Sequence, residues 1–206
     1  MFGKLNGLVT LIILLSGCAS TQPIATSDRS NVKAVTLSKD VPVPSKMSYL
    51  GPGGATGLAF GAIEAAIAAP GIEKSRESFQ EQTTETGVSI NRIVYEEALA
   101  QIRQSGKFPL KDETEPGGAT IYVSVLNYGF SIPHGFSSRL VPILGVRYEM
   151  RDPSGRILWS ATERVMPLGN PVEPIDVDEI KRNAATREAA WRAAAKALAA
   201  KLVANY

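Results

Sequence analysis

The only histidine, His134, lies in a serine-rich stretch, and a histidine near a serine could activate it as a nucleophile for hydrolysis. Ser131, Ser137 and Ser138 are its serine neighbours, and Asp152 could orient the imidazole. A catalytic triad is defined by geometry, which nearness in sequence does not supply. A lone histidine in a polar loop is usually solvated, so the sequence favours a protein that is not an enzyme. A hydrolase using His134 is the least favoured alternative.

Carboxylates occur together in three places, and paired acids can perform acid–base chemistry. They are Glu96 with Glu97, Glu113 with Glu115, and the segment from Asp176 to Glu179. Each also has a structural explanation, as an exposed helix face, a loop and a helix start respectively. One histidine and one cysteine leave carboxylates as the main side-chain ligands for zinc. We therefore expect no metal and no other cofactor.

The glycines of GPGGATGLAFGAIEAAIAAPG, from Gly51 onward, suggest a phosphate loop. Leu58 and Ala59 stand where such a loop needs Lys and Ser or Thr, so nucleotide binding is not expected. The same stretch has a small residue at every fourth position: Gly53, Gly57, Gly61, Ala65 and Ala69. This glycine zipper would let two backbones approach closely.

The segment 54–69 is shorter than the ~20 residues that cross a bilayer, and it contains Glu64. We expect it to form a helix that packs within the domain. Packing against another molecule is the alternative, in a self-assembling membrane-associated or secretion-channel component.

The N-terminus has the pattern of an export signal. Lys4 precedes the apolar run 7–15, which is too short to span a membrane, and the small residues LSGCAS follow. Cys18, within that motif, is the only cysteine and has no disulfide partner in the chain. The chain has 22 Lys and Arg against 20 Asp and Glu, so its charge gives no reason to expect nucleic acid as a partner.

The motif LSGC, Leu15 to Cys18, resembles the lipobox of bacterial lipoproteins. The resemblance implies removal of a signal peptide, residues 1–17, and acylation of Cys18, with palmitate as a typical acyl chain. Ala19, in place of the aspartate that signals inner-membrane retention, implies the periplasmic face of the outer membrane. The alternative is an ordinary signal peptide in which Cys18 is incidental.

Residues 18–31 are predicted to be the lipidated cysteine and a flexible tether, because they contain few large apolar groups. Residues 32–206 are predicted to be a single α+β domain of two layers, with a mainly antiparallel sheet covered by helices. Hydrophobic periodicity predicts strands at 32–37, 119–130, 144–151 and 157–165, an extended segment at 108–110, and helices at 54–69, 73–85, 89–104 and from Asp176 or Asp178 to the C-terminus. We expect Tyr148, Trp159 and Trp191 in the core.

The segments QSGKFPL, IYVSVLNYGF and VRYEMRDPSGRILWSATERV, followed by a long alanine-rich helix, resemble the small α/β domain of several bacterial envelope lipoproteins. Examples are the curli-secretion lipoprotein, the lipoprotein activators of penicillin-binding proteins and the amino-terminal domain of the Tol translocation protein. The similar region is 88–206, and the hairpin Asp152 to Trp159 is its most particular element.

This resemblance implies a fold and no activity. Segment 54–69 lacks the alternation of the membrane hairpins that the curli-secretion channel adds, which argues against a similar pore. The favoured interpretation is an outer-membrane lipoprotein that acts on an envelope protein partner, or on copies of itself, without catalysis.

Overall fold

The computed structural model describes residues 20–51, 72–111, 118–135 and 137–206, which form an α+β fold. The strands are β1 (Ser20–Gln22), β2 (Val35–Leu37), β3 (Ser48–Leu50), β4 (Ala119–Ser131), β5 (Arg139–Arg151), β6 (Ile157–Val165) and β7 (Ile175–Asp176). The helices are α1 (Thr26–Asn31), α2 (Ile72–Glu85), α3 (Ile90–Ser105), α4 (Val177–Arg182) and α5 (Ala184–Ala204). The predicted helix at 54–69 lies outside the described residues.

The sheet has the strand order β1-β6-β5-β4-β2, and β3 also pairs with β4. The β4–β5–β6 meander and the β1–β6 pair are antiparallel, whereas β2 and β3 run parallel to β4. Pro153 and Gly155 form the tight turn between β5 and β6, and Gly155 takes φ +88°. The predicted antiparallel meander and its hairpin are therefore confirmed.

The alternation of β4 changes phase at a β-bulge between Val125 and Asn127. Before the bulge Ile121 and Val123 are buried as predicted; after it Tyr128 is buried, although simple alternation put it on the opposite face. The prediction for Tyr128 was wrong because the extra residue in a bulge reverses which face the following side chains occupy.

Strand β5 starts at Arg139, five residues before the predicted start at Leu144. The additional segment includes Pro142, which pairs with Phe130 of β4. Proline is tolerated at this position because β6 pairs with β5 only from Leu144 onward, so one side of β5 is an edge here.

The short strands β2 and β3 flank one long partner: β2 pairs with the start of β4 and β3 with its end. Gly129 makes the second contact possible, since a Cβ at this position would lie 1.7 Å from the carbonyl oxygen of Ser48. Its φ of +151° also favours glycine. The predicted strand at 32–37 is shortened to Val35–Leu37, and the predicted extended segment makes one bridge, Leu110 to Val35.

Helix α3 confirms the amphipathic prediction for 89–104. All five residues of the predicted apolar stripe are buried: Ile90, Ile93, Val94, Ala98 and Ile102. Gly106 ends the helix with φ +62°, as expected of a glycine at a helix C-terminus. Helix α2 likewise matches the predicted 73–85 to within one residue.

The predicted C-terminal helix is two helices, because it breaks at Asn183. Asp176 caps α4, and its side chain accepts hydrogen bonds from the backbone N–H groups of Asp178 and Glu179. Asn183 caps α5 in the same way, bonding the N–H groups of Ala185 and Thr186. An asparagine side chain competes with the helical backbone for hydrogen bonds, so it begins a new helix here rather than continuing the old one.

The N-terminal segment also differs from prediction, since most of the proposed tether forms β1 and α1. β1 pairs with β6 from Ser20 to Gln22, and Ile24 enters the core. This segment is ordered by one buried isoleucine, by the pairing of an edge strand and by the ion pair of Asp28 with Arg156. Its composition alone predicted no regular structure.

One continuous hydrophobic core joins the sheet to α3 and α5. Tyr148, Trp159 and Trp191 are each at most 1% exposed, which confirms their prediction as core residues. The two tryptophans belong to different aromatic groups: Trp191 contacts Tyr128 and Phe130, whereas Trp159 contacts Phe108, Tyr148 and Tyr206.

Candidate interaction surface

His134 and Asp152, the predicted base and orienting acid, lie at opposite ends of the sheet. His134 is exposed just after the end of β4, where Ser131 pairs with Val141. Asp152 follows Arg151, which pairs with Thr120 at the start of β4. Eleven strand residues separate the two ends, or about 35 Å at 3.3 Å per residue. This fold cannot bring the imidazole and that carboxylate into one site.

The acids Glu96 and Glu97 belong to an ion-pair network between α3 and α5. Arg192 donates to Glu97 at 3.0 Å, to Glu96 at 2.8 Å and to Glu188 at 2.9 Å. Arg92 also contacts Glu188, at 3.1 Å. The hydrogen bond from Arg192 is the largest cause of the lowered pKa of Glu188. These carboxylates are compensated by cations and join two helices.

The other two groups of carboxylates predicted from the sequence differ in whether the structure describes them. Asp176, Asp178 and Glu179 form the start of α4, in agreement with the structural explanation of that cluster. Glu113 and Glu115 lie outside the described residues. Among the residues that the structure describes, no three His, Cys, Asp or Glu side chains form a metal-binding group.

Two predicted functional features also lie outside the described residues. They are the lipidation site, Cys18, and the glycine zipper formed by Gly53, Gly57, Gly61, Ala65 and Ala69. Within the described ranges, no helix is both long and apolar enough to cross a membrane.

On the sheet face opposite the helices, exposed side chains of three neighbouring strands could contact a partner. Alternation along β4, β5 and β6 directs the following side chains away from the core: Tyr122, Ser124, Arg147, Glu149, Arg151, Ser160, Thr162 and Arg164. We call these residues the open face. Tyr122 is 46% exposed, and Leu126, four residues further along β4 at the bulge, is 37% exposed.

A row of charged side chains runs along β5 on the open face. Glu149 lies between two arginines, 2.7 Å from Arg147 and 3.1 Å from the Nε of Arg151. The guanidinium of Arg151 also lies 5.6 Å from the ring centroid of Tyr122. Because one glutamate is shared by two arginines and Arg164 adds a third, the face is net positive. Arginine and tyrosine in this arrangement can bind acidic and aromatic groups of a partner.

A second cluster, here called the N-terminal clamp, joins α1 to the β5–β6 hairpin. Arg156 donates two hydrogen bonds of 3.0 Å to the carboxylate of Asp28 and one of 3.0 Å to Asp152. The Arg156 bond is the largest cause of the lowered pKa of Asp28, whereas the bond from Ser154 is the largest cause for Asp152. The clamp borders a cavity of about 180 Å³. The hydrogen bonds of the N-terminal clamp hold α1 against the β5–β6 hairpin.

A third feature lies where β6 ends. Leu168 is 86% exposed and Met166 is 48% exposed, and both belong to the loop predicted at 167–174 or adjoin it. Neither residue stands out in the sequence as a candidate for binding. Isolated apolar residues in a loop carry little information by themselves, and their significance depends on what lies beside them in the fold.

The open face was also missed at the sequence level, although the alternation of β4 and β5 contained part of the signal. The pattern separates Arg147, Glu149 and Arg151 from the core side chains between them. It does not show that Tyr122 of another strand lies under Arg151, because that depends on the register of the two strands.

No protein-family model matches this chain, and no curated protein matches it. Among solved structures, it resembles a dodecamer of PelC from Paraburkholderia phytofirmans, with 14% sequence identity and a TM-score of 0.42. A dodecamer of a point variant of that protein gives 13% identity and a TM-score of 0.41. Both alignments cover 91% of this chain and 94% of the other. A likeness at these values carries no conclusion about assembly or function.

Proposed function

We propose that this chain is a lipoprotein, anchored through acylated Cys18 to the periplasmic face of the outer membrane, and that it acts there as a non-enzymatic interaction protein. The lipobox-like motif LSGC supports the anchor. The positions of the candidate catalytic groups support the absence of catalysis: His134 is far from Asp152, and Glu96 and Glu97 are engaged by Arg192.

The open face is the observation that carries the interaction role. It holds a half-exposed tyrosine under an arginine, and its arginines exceed its single glutamate. Tyrosine and arginine are over-represented among residues that dominate binding at protein interfaces. The expected partner is an envelope protein that offers acidic and aromatic side chains to Tyr122, Arg147 and Arg151.

Site-specific crosslinking in intact cells tests this role. A photoreactive amino acid replaces Tyr122, and a matched control replaces Ala200, which is exposed on the outer side of α5. We expect a reproducible adduct with one envelope protein from position 122 and none from position 200. Adding Arg147→Ala should lower the yield of that adduct about tenfold, since a charged contact at an interface centre is worth ~1–2 kcal/mol.

Three results distinguish the alternatives. Identical adducts from both positions, or none from position 122, would contradict a role for the open face. An adduct of twice the chain mass would instead support self-assembly. Mass spectrometry of the mature N-terminus tests the anchor separately, since acylated Cys18 has a characteristic mass.

A further inference from the structure

Leu168 is held away from the core by a defined loop conformation. Asn170 donates hydrogen bonds to the carbonyl oxygens of Met166, at 3.0 Å, and Pro142, at 2.7 Å, which closes the loop over β5. Gly169 follows Leu168 with φ +70°, a left-handed conformation that turns the chain. The loop thus presents a large apolar side chain to solvent at 86% exposure.

The sequence around Leu168 has no charge to keep it in water. Residues 165–172, VMPLGNPV, contain no ionisable side chain, and Glu173 is the first acid after them. Arg164 lies just before this segment and is exposed. An arginine next to protruding apolar side chains fits a phospholipid surface, where the guanidinium binds phosphate and the apolar groups enter the acyl boundary.

The register of β1 places the N-terminal end of this strand, Ser20, toward the same segment. Because β1 and β6 are antiparallel and Ser20 pairs with Thr162, Ser20 is the residue of β1 that lies nearest to Arg164 and Met166. Cys18 is two residues before Ser20, so their Cα atoms are at most about 7 Å apart. Met166 is four residues beyond Thr162, or about 13 Å along the strand direction.

We infer that Arg164, Met166 and Leu168 form a membrane-contact edge that lies on the phospholipid surface beside the acyl anchor. This inference rests on the proposed acylation of Cys18. Because β1 is paired to the sheet, one residue, Ala19, separates the acylated cysteine from the first strand of the domain. The membrane-contact edge then sets the orientation of the domain on the membrane. The β5–β6 hairpin then lies about 30 Å from the membrane, at the far end of the nine-residue β6.

A fluorescent label at position 168 tests the edge in the full acylated protein. Acylation blocks the sulfur of Cys18, so Leu168→Cys introduces one reactive thiol for a polarity-sensitive dye. Ala200→Cys, exposed on α5, is the matched control, and Met166→Cys is a second edge position. The proteins are placed in vesicles of phosphatidylethanolamine and phosphatidylglycerol, and iodide quenching is measured with no other protein present.

Labels at 166 and 168 should emit at shorter wavelength and be quenched at least about fivefold less than the label at 200, as expected for groups within the headgroup and acyl boundary. Equal quenching at all three positions would overturn the edge. Mass spectrometry of the same samples separates the two proposals. Acylated protein with exposed labels contradicts the edge alone, whereas protein without acyl chains contradicts both.

Discussion

At the scale of single residues, the buried arginine of α5 needs hydrogen-bond partners to compensate for its loss of water. Arg187 is 1% exposed and has hydrogen bonds to the carbonyl oxygens of Ile180 and Lys181, both at 2.8 Å, and to the hydroxyl of Thr86 at 2.8 Å. Burial lowers its pKa because the charged form loses water. Its guanidinium thereby satisfies the end of α4 and joins it to the turn after α2.

Replacing this arginine should be costly. We expect Arg187→Met to lower the free energy of unfolding by about 2 to 4 kcal/mol, because the buried carbonyl oxygen of Ile180 and the partly buried one of Lys181 would both lose this donor. Urea unfolding at neutral pH measures the loss. Arg182→Met, at an exposed site on α4, should change stability by less than about 0.5 kcal/mol. Equal effects of the two substitutions would contradict the structural role.

At the scale of elements, the N-terminal clamp decides whether α1 and β1 stay on the sheet. The lowered pKa of Asp28 means that its carboxylate stabilises the fold fully above the unfolded value of 3.8. That contribution is lost as pH falls below this value, through the lower pKa of the folded state. Arg29 adds a contact by placing its guanidinium 4.5 Å from the ring centroid of Tyr206.

We therefore predict that Asp28→Asn selectively loosens residues 20–31. Amide hydrogen exchange at neutral pH should accelerate in that segment and remain unchanged in α3, since each local opening has its own free energy. Asp40→Asn, at an exposed aspartate elsewhere, is the control. In the unmodified protein, the protection of residues 20–31 relative to α3 should fall as the pH drops below 3.8, through the lower pKa of Asp28 in the folded state. Faster exchange throughout the chain would be evidence against a local clamp.

At the scale of the whole molecule, the core is a single cluster that contains both tryptophans. Trp191 hydrogen-bonds the carbonyl oxygen of Gly129 at 3.0 Å, near the β3 end of β4. Trp159 lies near the C-terminus, 5.4 Å from the ring of Tyr206. The two indoles thus report on separate parts of one core.

A continuous core should unfold as one unit. We predict that Trp159→Phe and Trp191→Phe, each leaving one tryptophan, give fluorescence transitions that coincide with the loss of helical circular dichroism in the same variant. Midpoints that differ between the two probes by more than about 0.3 M urea would indicate two independently unfolding parts. Because each substitution also changes stability, the comparison is made within each variant and not between them.

Much of the architecture was accessible from sequence because it depends on local periodicity. The spacing of Ile90, Ile93 and Ala98 predicts α3, and the turn at Pro153 and Gly155 predicts the β5–β6 hairpin. The boundaries of β6 were also correct, at Ile157 and Val165. Each depends on a face that must be buried or on a backbone angle that must be reached, and both are properties of short segments.

The sequence by itself determined the α+β class, the core stripe of α3 and the antiparallel meander. Its LSGC motif also supplies the proposal of a lipid anchor. Only the tertiary structure decided that Tyr128 is buried beyond a bulge, that β1 and α1 join the sheet, and that Arg151 lies by Tyr122. Register, bulges and ion pairs between distant segments depend on which strands meet, and no local pattern of side chains encodes that choice.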